Sequence, residues 1–360
     1  MTEMKPIIAG DQRPALTRDE LGKLVRAHEL FLAGAAGGKC AKLFSGNLTG
    51  VDLANCKLAG SDFSGSVFYG ANLRFANFQR ANLYCTDLRN IDGRCGDFSH
   101  ADMRGTTLNG SNLSQAILDH VDFRAGRLAP LGRWGAGDVI DRNGSATGVD
   151  FSFCSLRGAS LEGSNLKGAN FNGAVIHATK FRGASLSGAT FERTAFTDVD
   201  LSELRVPASA LAHCLFPPSL EAVAERANLL VKLQVHQRWV ESDARAGAPA
   251  VLDDKDLRPL ADSIGRFKLT AISARRAIAV GVDLSCTELQ GADFEGADLR
   301  GASFEGADLR GVNFRDACLH HAKFVAADLR SLQLRNGSLR QSNFTGASLS
   351  AEQIADAIVD

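Results

Sequence analysis

The sequence predicts a mainly β fold: a solenoid of square coils, closed by helices at its ends and interrupted by one helical insertion. Three observations carry this. First, a large apolar side chain returns at every fifth position in three runs, Leu43 to Leu128, Phe151 to Leu201 and Leu284 to Leu349, with Gly93 the one break in the first run. Second, the residue two before each of these centres is small, as at Ala71, Ala76 and Ala81 or at Ala292, Ala297 and Ala302, with Leu332 an exception. Third, like residues recur at intervals of twenty: Phe151, Phe171 and Phe191, then Phe304, Phe324 and Phe344, and in another column Leu289, Leu309, Leu329 and Leu349. A period of five is neither the 3.6 of a helix nor the 2 of a strand. Each five-residue side must present one large and one small side chain inward and then turn a corner. Four such sides make a coil of twenty, and the phenylalanine columns become aromatic ladders.

The elements follow in chain order. Residues 1–40 hold an N-terminal segment and a cap helix. Thr17-Arg-Asp-Glu20 reads as a capping box, Leu21, Leu24, Val25, His28 and Leu32 follow at helical spacing, and Gly34 to Gly38 end the helix. A first solenoid occupies 41–205, with a glycine-rich loop projecting at 131–148, where the phase slips by three. Loops carry function disproportionately, so Arg133, Trp134 and Asp138 in this loop are candidate interaction residues. Residues 206–250 read as a linker and a second cap helix, with Pro217, Pro218 and Ser219 as start signals before a helical pattern from Leu220 to about Val240. His236 and Trp239 echo His28 and Phe31 at the same spacing of three. The chain therefore reads as a duplicated unit, each half a cap helix followed by a solenoid. The second solenoid spans 251–349, with degenerate coils at 264–281 where Phe267 and Ile272 stand in the small slot. Ser350 with Gln353 starts a C-terminal cap helix over 350–360.

Asp or Asn often precedes the centre and Gly often lies two after it, so the consensus is A-(D/N)-(L/F)-x-G. The run GADFEGADLRGASFEGADLRG at 291–311 resembles the pentapeptide-repeat proteins. That resemblance implies a right-handed quadrilateral β-helix. It also accounts for 21 Phe beside 2 Tyr and 2 Trp, because Phe suits the inward slot whereas a Tyr hydroxyl there would need a partner.

Charge narrows the function. The chain has 40 Lys+Arg against 41 Asp+Glu, a formal charge of −1, which lacks the basic excess of a nucleic-acid binder. No apolar run is long enough to span a membrane, and no signal peptide opens the chain. Eight cysteines without a C-x-x-C pair suggest reduced thiols in a cytoplasmic protein. Gly34 to Cys40 only superficially imitates a phosphate loop: it has three residues between its glycines, then Lys39 and Cys40, and it follows a helix. His320 and His321 are adjacent, so on a strand they point opposite ways and chelate one ion poorly, even with Cys318 nearby. No G-x-S-x-G or H-E-x-x-H occurs. The reading is a non-enzymatic scaffold without cofactor or metal that binds a protein partner through its faces and the 131–148 loop. A homodimer through the C-terminal helix is a further expectation drawn from the resemblance. The alternative, also drawn from the resemblance, is DNA mimicry against gyrase or another topoisomerase, as in quinolone-resistance relatives. That reading needs a negative rod, whereas Asp298 and Asp308 are followed two residues on by Arg300 and Arg310.

Overall fold

The computed structural model describes residues 14, 16–128 and 140–360. The chain divides into two compact units, Met1–Leu215 and Phe216–Asp360.

The first unit opens with α1 (Arg18–Leu32). The Thr17 amide donates to Glu20 Oε2 at 2.9 Å, and the Glu20 amide donates to Thr17 Oγ1 at 3.3 Å, which completes the capping box. At the other end Gly34 turns the chain at φ +64°. A Cβ at Gly38 would lie 2.5 Å from the Phe31 nitrogen, so only glycine lets the returning chain lie against the helix end. Thr17→Ala is expected to cost about 1 kcal/mol. Hydrogen exchange should register it as faster opening of the first turn of α1, with the coils beneath unchanged.

From Lys42 the chain coils. Lys42, Asp62, Asn82 and Asp102 bridge in parallel, each above the next, and three further columns start at Asn47, Asp52 and Lys57. Four sides and a twenty-residue turn follow directly. One bonding rule repeats: the Leu53 amide donates to the Asn72 carbonyl at 2.8 Å, and the Asn72 amide donates back to the Val51 carbonyl at 2.9 Å. Each corner is a four-residue turn, as where the Cys56 amide donates to the Leu53 carbonyl at 3.1 Å. The third residue of that turn, Asn55, has φ +61°. A positive φ at this place is the reason the repeat favours Gly there. Cys85, His100 and His120 adopt the same conformation without that freedom.

The inward slots are filled as the periodicity requires. Phe171 is fully buried and stacks on Phe151 at 5.2 Å and on Phe191 at 5.3 Å. The break at Gly93 is compensated locally: Ile91 fills the small slot, and a Cβ on Gly93 would meet Leu113 Cδ2 at 2.7 Å. Large and small have exchanged places on one side of one coil.

At Thr107 the next bridge is to Ser145, thirty-eight residues on. The extra eighteen residues leave the coil through an antiparallel pair, β1 (Gly126–Leu128) and β2 (Ile140–Arg142). Eighteen is three more than a multiple of five, which is the phase slip. The interruption comes earlier than the expected 131–148: the chain has left the coil where β1 begins at Gly126, and it is back by Ser145, with Ala146 buried. Lower in the unit, β3 (Val175–His177) and β4 (Ala195–Thr197) pair in parallel. Pairing also runs past the expected boundary at 205: after 3-10 turns at Leu201–Glu203 and Ala208–Leu211, Leu215 bridges Ala195.

The second unit begins with α2 (Leu220–Glu241), N-capped by Ser219, whose hydroxyl accepts from the Ala222 amide at 3.1 Å. Leu229, Leu233 and His236 face its core. The first coil is two residues longer than the one that follows it, with Val251 bridging Ser273 and Asp256 bridging Ile278. Here Ile272 is buried in the small slot and Ala274 in the large one, the same exchange as at Ile91 and Gly93.

Two expectations fail near the C-terminus. Asn313 bridges Asn343 and Cys318 bridges Ser348, thirty residues apart instead of twenty. The additional ten form a hairpin, β5 (Leu332–Gln333) against β6 (Leu339–Arg340). Leu334 and Leu339 are therefore exposed and not core centres. Phe304 stacks on Phe324 at 5.2 Å, but Phe344 falls beneath Phe314, at 5.3 Å, and meets Phe324 only edge-on at 6.3 Å. The column Phe304, Phe324, Phe344 is thus broken at its last step, because the hairpin moves the chain on by two sides. The expected helix over 350–360 is instead a 3-10 turn, Ala351–Ile354, after which Ile358 bridges Asp328. Gln353 does bond the Ser350 amide, at 2.9 Å, but its own amide group donates to the Leu319 and Ala322 carbonyls, which ties the turn to the coil above. The helix on which the homodimer expectation rested is not formed.

Candidate functional site

Arg133, Trp134 and Asp138 lie outside the described residues, and the structure adds nothing on them. The paired histidines are well defined. His28 is fully buried; its Nδ1 accepts from the Ala41 amide at 3.0 Å and its Nε2 lies 3.0 Å from the Ala59 carbonyl. The neutral ring thus accepts at one nitrogen and donates at the other. Burial holds the His28 pKa below the usual imidazole value, with the Ala59 bond opposing. His236 repeats the first of these contacts, its Nδ1 accepting from the Ala250 amide at 3.1 Å. The ring that stacks on each is also repeated, Phe31 at 5.8 Å and Trp239 at 5.6 Å. These histidines join each helix to the first side of its solenoid. Both are enclosed, so neither is placed to meet a ligand.

The outer faces are built from the residues that flank each centre. Where the repeat reads Asp-x-Arg, the two side chains form a fork within one side. Arg94 donates through Nε to Asp92 Oδ1 at 2.8 Å and through Nη2 to Asp92 Oδ2 at 2.6 Å. Arg310 does the same to Asp308, and its Nε lies 3.7 Å from Asp328 of the next coil. The arginine bonds hold the Asp92 carboxyl below its usual range. Other carboxylates are tied between coils, as where Asn72 donates to Asp52 Oδ1 at 2.9 Å and Asn313 to Asp293 Oδ1 at 2.8 Å. Such exposed pairs are worth little individually. Their effect is to leave few carboxylates without a donor.

The groups that could carry chemistry are not arranged for it. His100 and His120 stack at 4.7 Å with planes 14° apart, so their nitrogens run side by side and do not converge on one ion. His320 is 7 % exposed, and burial, with His321 and Arg300 close by, lowers its pKa to about 4. Burial raises the pKa of Cys56, Cys85, Cys154, Cys214 and Cys318, so these are thiols and poor nucleophiles. Among the described residues no group of three or more His, Cys, Asp or Glu side chains is placed to hold a metal. Among the described residues no helix is long and apolar enough to cross a membrane. The sequence carries no sign of one feature, the side of the last coil in the first unit between Gly183 and Phe191. Its pentads look like all others, but among the described residues the 3-10 turns that follow leave its backbone edge unpaired.

No curated protein matches the chain. Among solved structures it is similar to QnrB1, a plasmid-mediated fluoroquinolone resistance protein, at 16% identity and TM-score 0.27 over 52% of this chain and 84% of that one. It is similar to HetL, a pentapeptide repeat protein involved in heterocyst differentiation regulation in the cyanobacterium Nostoc, at 20% identity and TM-score 0.14, covering 95% and 94%. A third is a pentapeptide repeat protein of the Arabidopsis thaliana thylakoid lumen, at 21% identity and TM-score 0.16, covering 34% and 65%. The profile described as pentapeptide repeats matches with 8 copies, over residues 47–84, 71–110, 97–128, 147–183, 177–205, 287–324 and 322–351. With more than half of its length matched and its coils bridged side above side, the chain belongs to the pentapeptide-repeat family.

Proposed function

We propose that this β-helix is right-handed and acts as a non-catalytic scaffold in the cytoplasm, binding protein partners through the faces of its coils. In this reading α1 and α2 cap the two units, and Arg133, Trp134 and Asp138 add a contact from the projecting loop. The observation that carries the reading is the charge balance of the faces. The most acidic face of the first unit stacks Asp52, Asp92 and Asp150 and ends with Glu192, but it also carries Arg74, Arg94 and Arg193. In the second unit the face with Asp253, Asp254, Asp293, Glu295 and Asp316 holds Arg275, Arg276 and Arg315, a small net negative charge over several coils, with Arg275 and Arg276 bonded across coils at 3.0 and 2.7 Å.

A duplex presents about one negative charge per 1.7 Å of axis, or nearly three per coil spacing of ~4.8 Å. Faces that are near neutral over several coils fall far short of that. This weighs against DNA mimicry toward gyrase or another topoisomerase and favours partners that recognise a mixed polar surface.

The test is affinity capture with the full chain, with a chain lacking 131–147, and with Arg74→Glu/Arg94→Glu. At least one partner of the full chain should be lost from one of these variants. A partner set identical for all three, or turnover of any substrate by the purified chain, would sink the reading.

A further inference from the structure

We propose that the last coil of the first unit binds an extended polypeptide segment of a partner by strand addition between Gly183 and Phe191. The inference rests on the scaffold reading and narrows it to one class of partner.

Throughout the unit each coil donates to the next in one pattern. Leu166 and Gly168 donate to the carbonyls of Ser185 and Ser187 at 2.8 and 2.9 Å, and Phe171 donates to Thr190 at 2.8 Å. The coil that receives these bonds has the same donors on its far edge. On the side before the open stretch, the Phe181 amide is met by the Glu203 carboxylate at 3.3 Å. On the side after it, Arg193 donates to His213 at 3.0 Å and Phe196 to Leu215 at 2.8 Å. Between them, among the described residues, the amides of Leu186, Gly188 and Phe191 and the carbonyls of Ala184 and Ala189 have no backbone partner.

The chain that follows does not take a coil's place here. It passes as two short 3-10 turns, and Leu204, 1 % exposed, closes the core beneath. A groove is left, walled by Ala184–Ala189 on one side and by Leu204, Val206, Pro207 and Ala210 on the other.

Unpaired amides and carbonyls along a strand edge are a template for another strand, and an extended peptide recognises such an edge mainly through its own backbone. The register is defined by the coils above: an incoming strand would offer carbonyls to Leu186, Gly188 and Phe191 and amides to Ala184 and Ala189. The far wall, Leu204, Val206, Pro207 and Ala210, is apolar and stands close, so small, uncharged side chains suit the inward face of the incoming strand. Arg205 stands exposed on the rim and favours an acidic side chain on the outer face of the incoming segment.

Because recognition is through the backbone, a generic probe suffices. Full-length protein is incubated with an acetylated, amidated octapeptide of alternating Ala and Ser at millimolar concentration, and amide exchange is followed by residue. Leu186, Gly188 and Phe191 should exchange faster than Leu166, Gly168 and Phe171 in the free protein. With the peptide they should slow by at least about tenfold, and the same peptide N-methylated at alternate residues should have no effect. Ala210→Trp, which fills the groove from the opposite wall, should abolish the protection while the upper coils stay protected. Unchanged exchange with the peptide, or amides at 186, 188 and 191 already as slow as those above them, would overturn the proposal. Failure here leaves the scaffold reading intact if the native chain still captures partners, whereas loss of all capture counts against that reading instead.

Discussion

Phe171→Ala is expected to remove about 4–5 kcal/mol from the first unit, among the largest losses available to one substitution. Its ring is fully buried, stacks on Phe151 and Phe191, and meets Phe181 edge-on at 6.3 Å. The cavity cannot collapse easily, because the backbone on every side is held by bonds to the coils above and below. Each coil is stabilised by its neighbours, so the damage spreads to both. A urea titration followed by circular dichroism should show the first unit unfolding at markedly lower denaturant. Phe344→Ala should cost clearly less, since that ring is only partly buried and lies at the end of its column. Equal losses at the two positions would contradict the ladder.

The second large effect is a loss of stability in mild acid. His320 has a folded pKa lowered to about 4, first by burial and then by His321 and Arg300, with Asp298 opposing. An unfolded histidine titrates near 6.5. Between these values the unfolded chain takes up a proton that the folded chain refuses, so stability falls as pH falls. The contribution is complete above about pH 7 and is lost by about pH 4, amounting to about 3 kcal/mol. Asp308 and Asp328 have carboxyls held below their usual range, so their own loss comes at still lower pH. Denaturant titrations of the second unit at pH 7 and pH 4.5 should differ, and His320→Asn should flatten the difference. A stability that stays level over that window would show that His320 is protonated in the folded chain.

The parts legible in the sequence were those whose physical cause is local or periodic. Centre, small slot and corner glycine each follow from one five-residue side, and α1 was legible because Thr17 and Glu20 form its cap. The interruption between the first two runs was legible because eighteen added residues shift the phase of five. The hairpin at 332–340 was not, because ten added residues leave the phase unchanged: Leu334 and Leu339 keep the rhythm while their side chains leave the core. Ser350 and Gln353 misled for another reason. Their capping bond exists, but Gln353 is also drawn to the Leu319 and Ala322 carbonyls, and pairing of Ile358 with Asp328 ends the turn. Of the candidate site, the cap pairs and the Asp-x-Arg forks could be read from spacing. The open edge at Leu186 to Phe191 could not, because it depends on what the following residues fail to cover.

On the proposed reading, the faces of both units are balanced surfaces for protein partners and no substitute for duplex DNA. The most direct measurement is a gyrase supercoiling assay with the purified full-length chain, with and without a quinolone. Paired carboxylates at near-neutral faces predict unchanged supercoiling and unchanged quinolone sensitivity at micromolar protein. Inhibition of supercoiling, or protection from the quinolone, at that concentration would contradict the account.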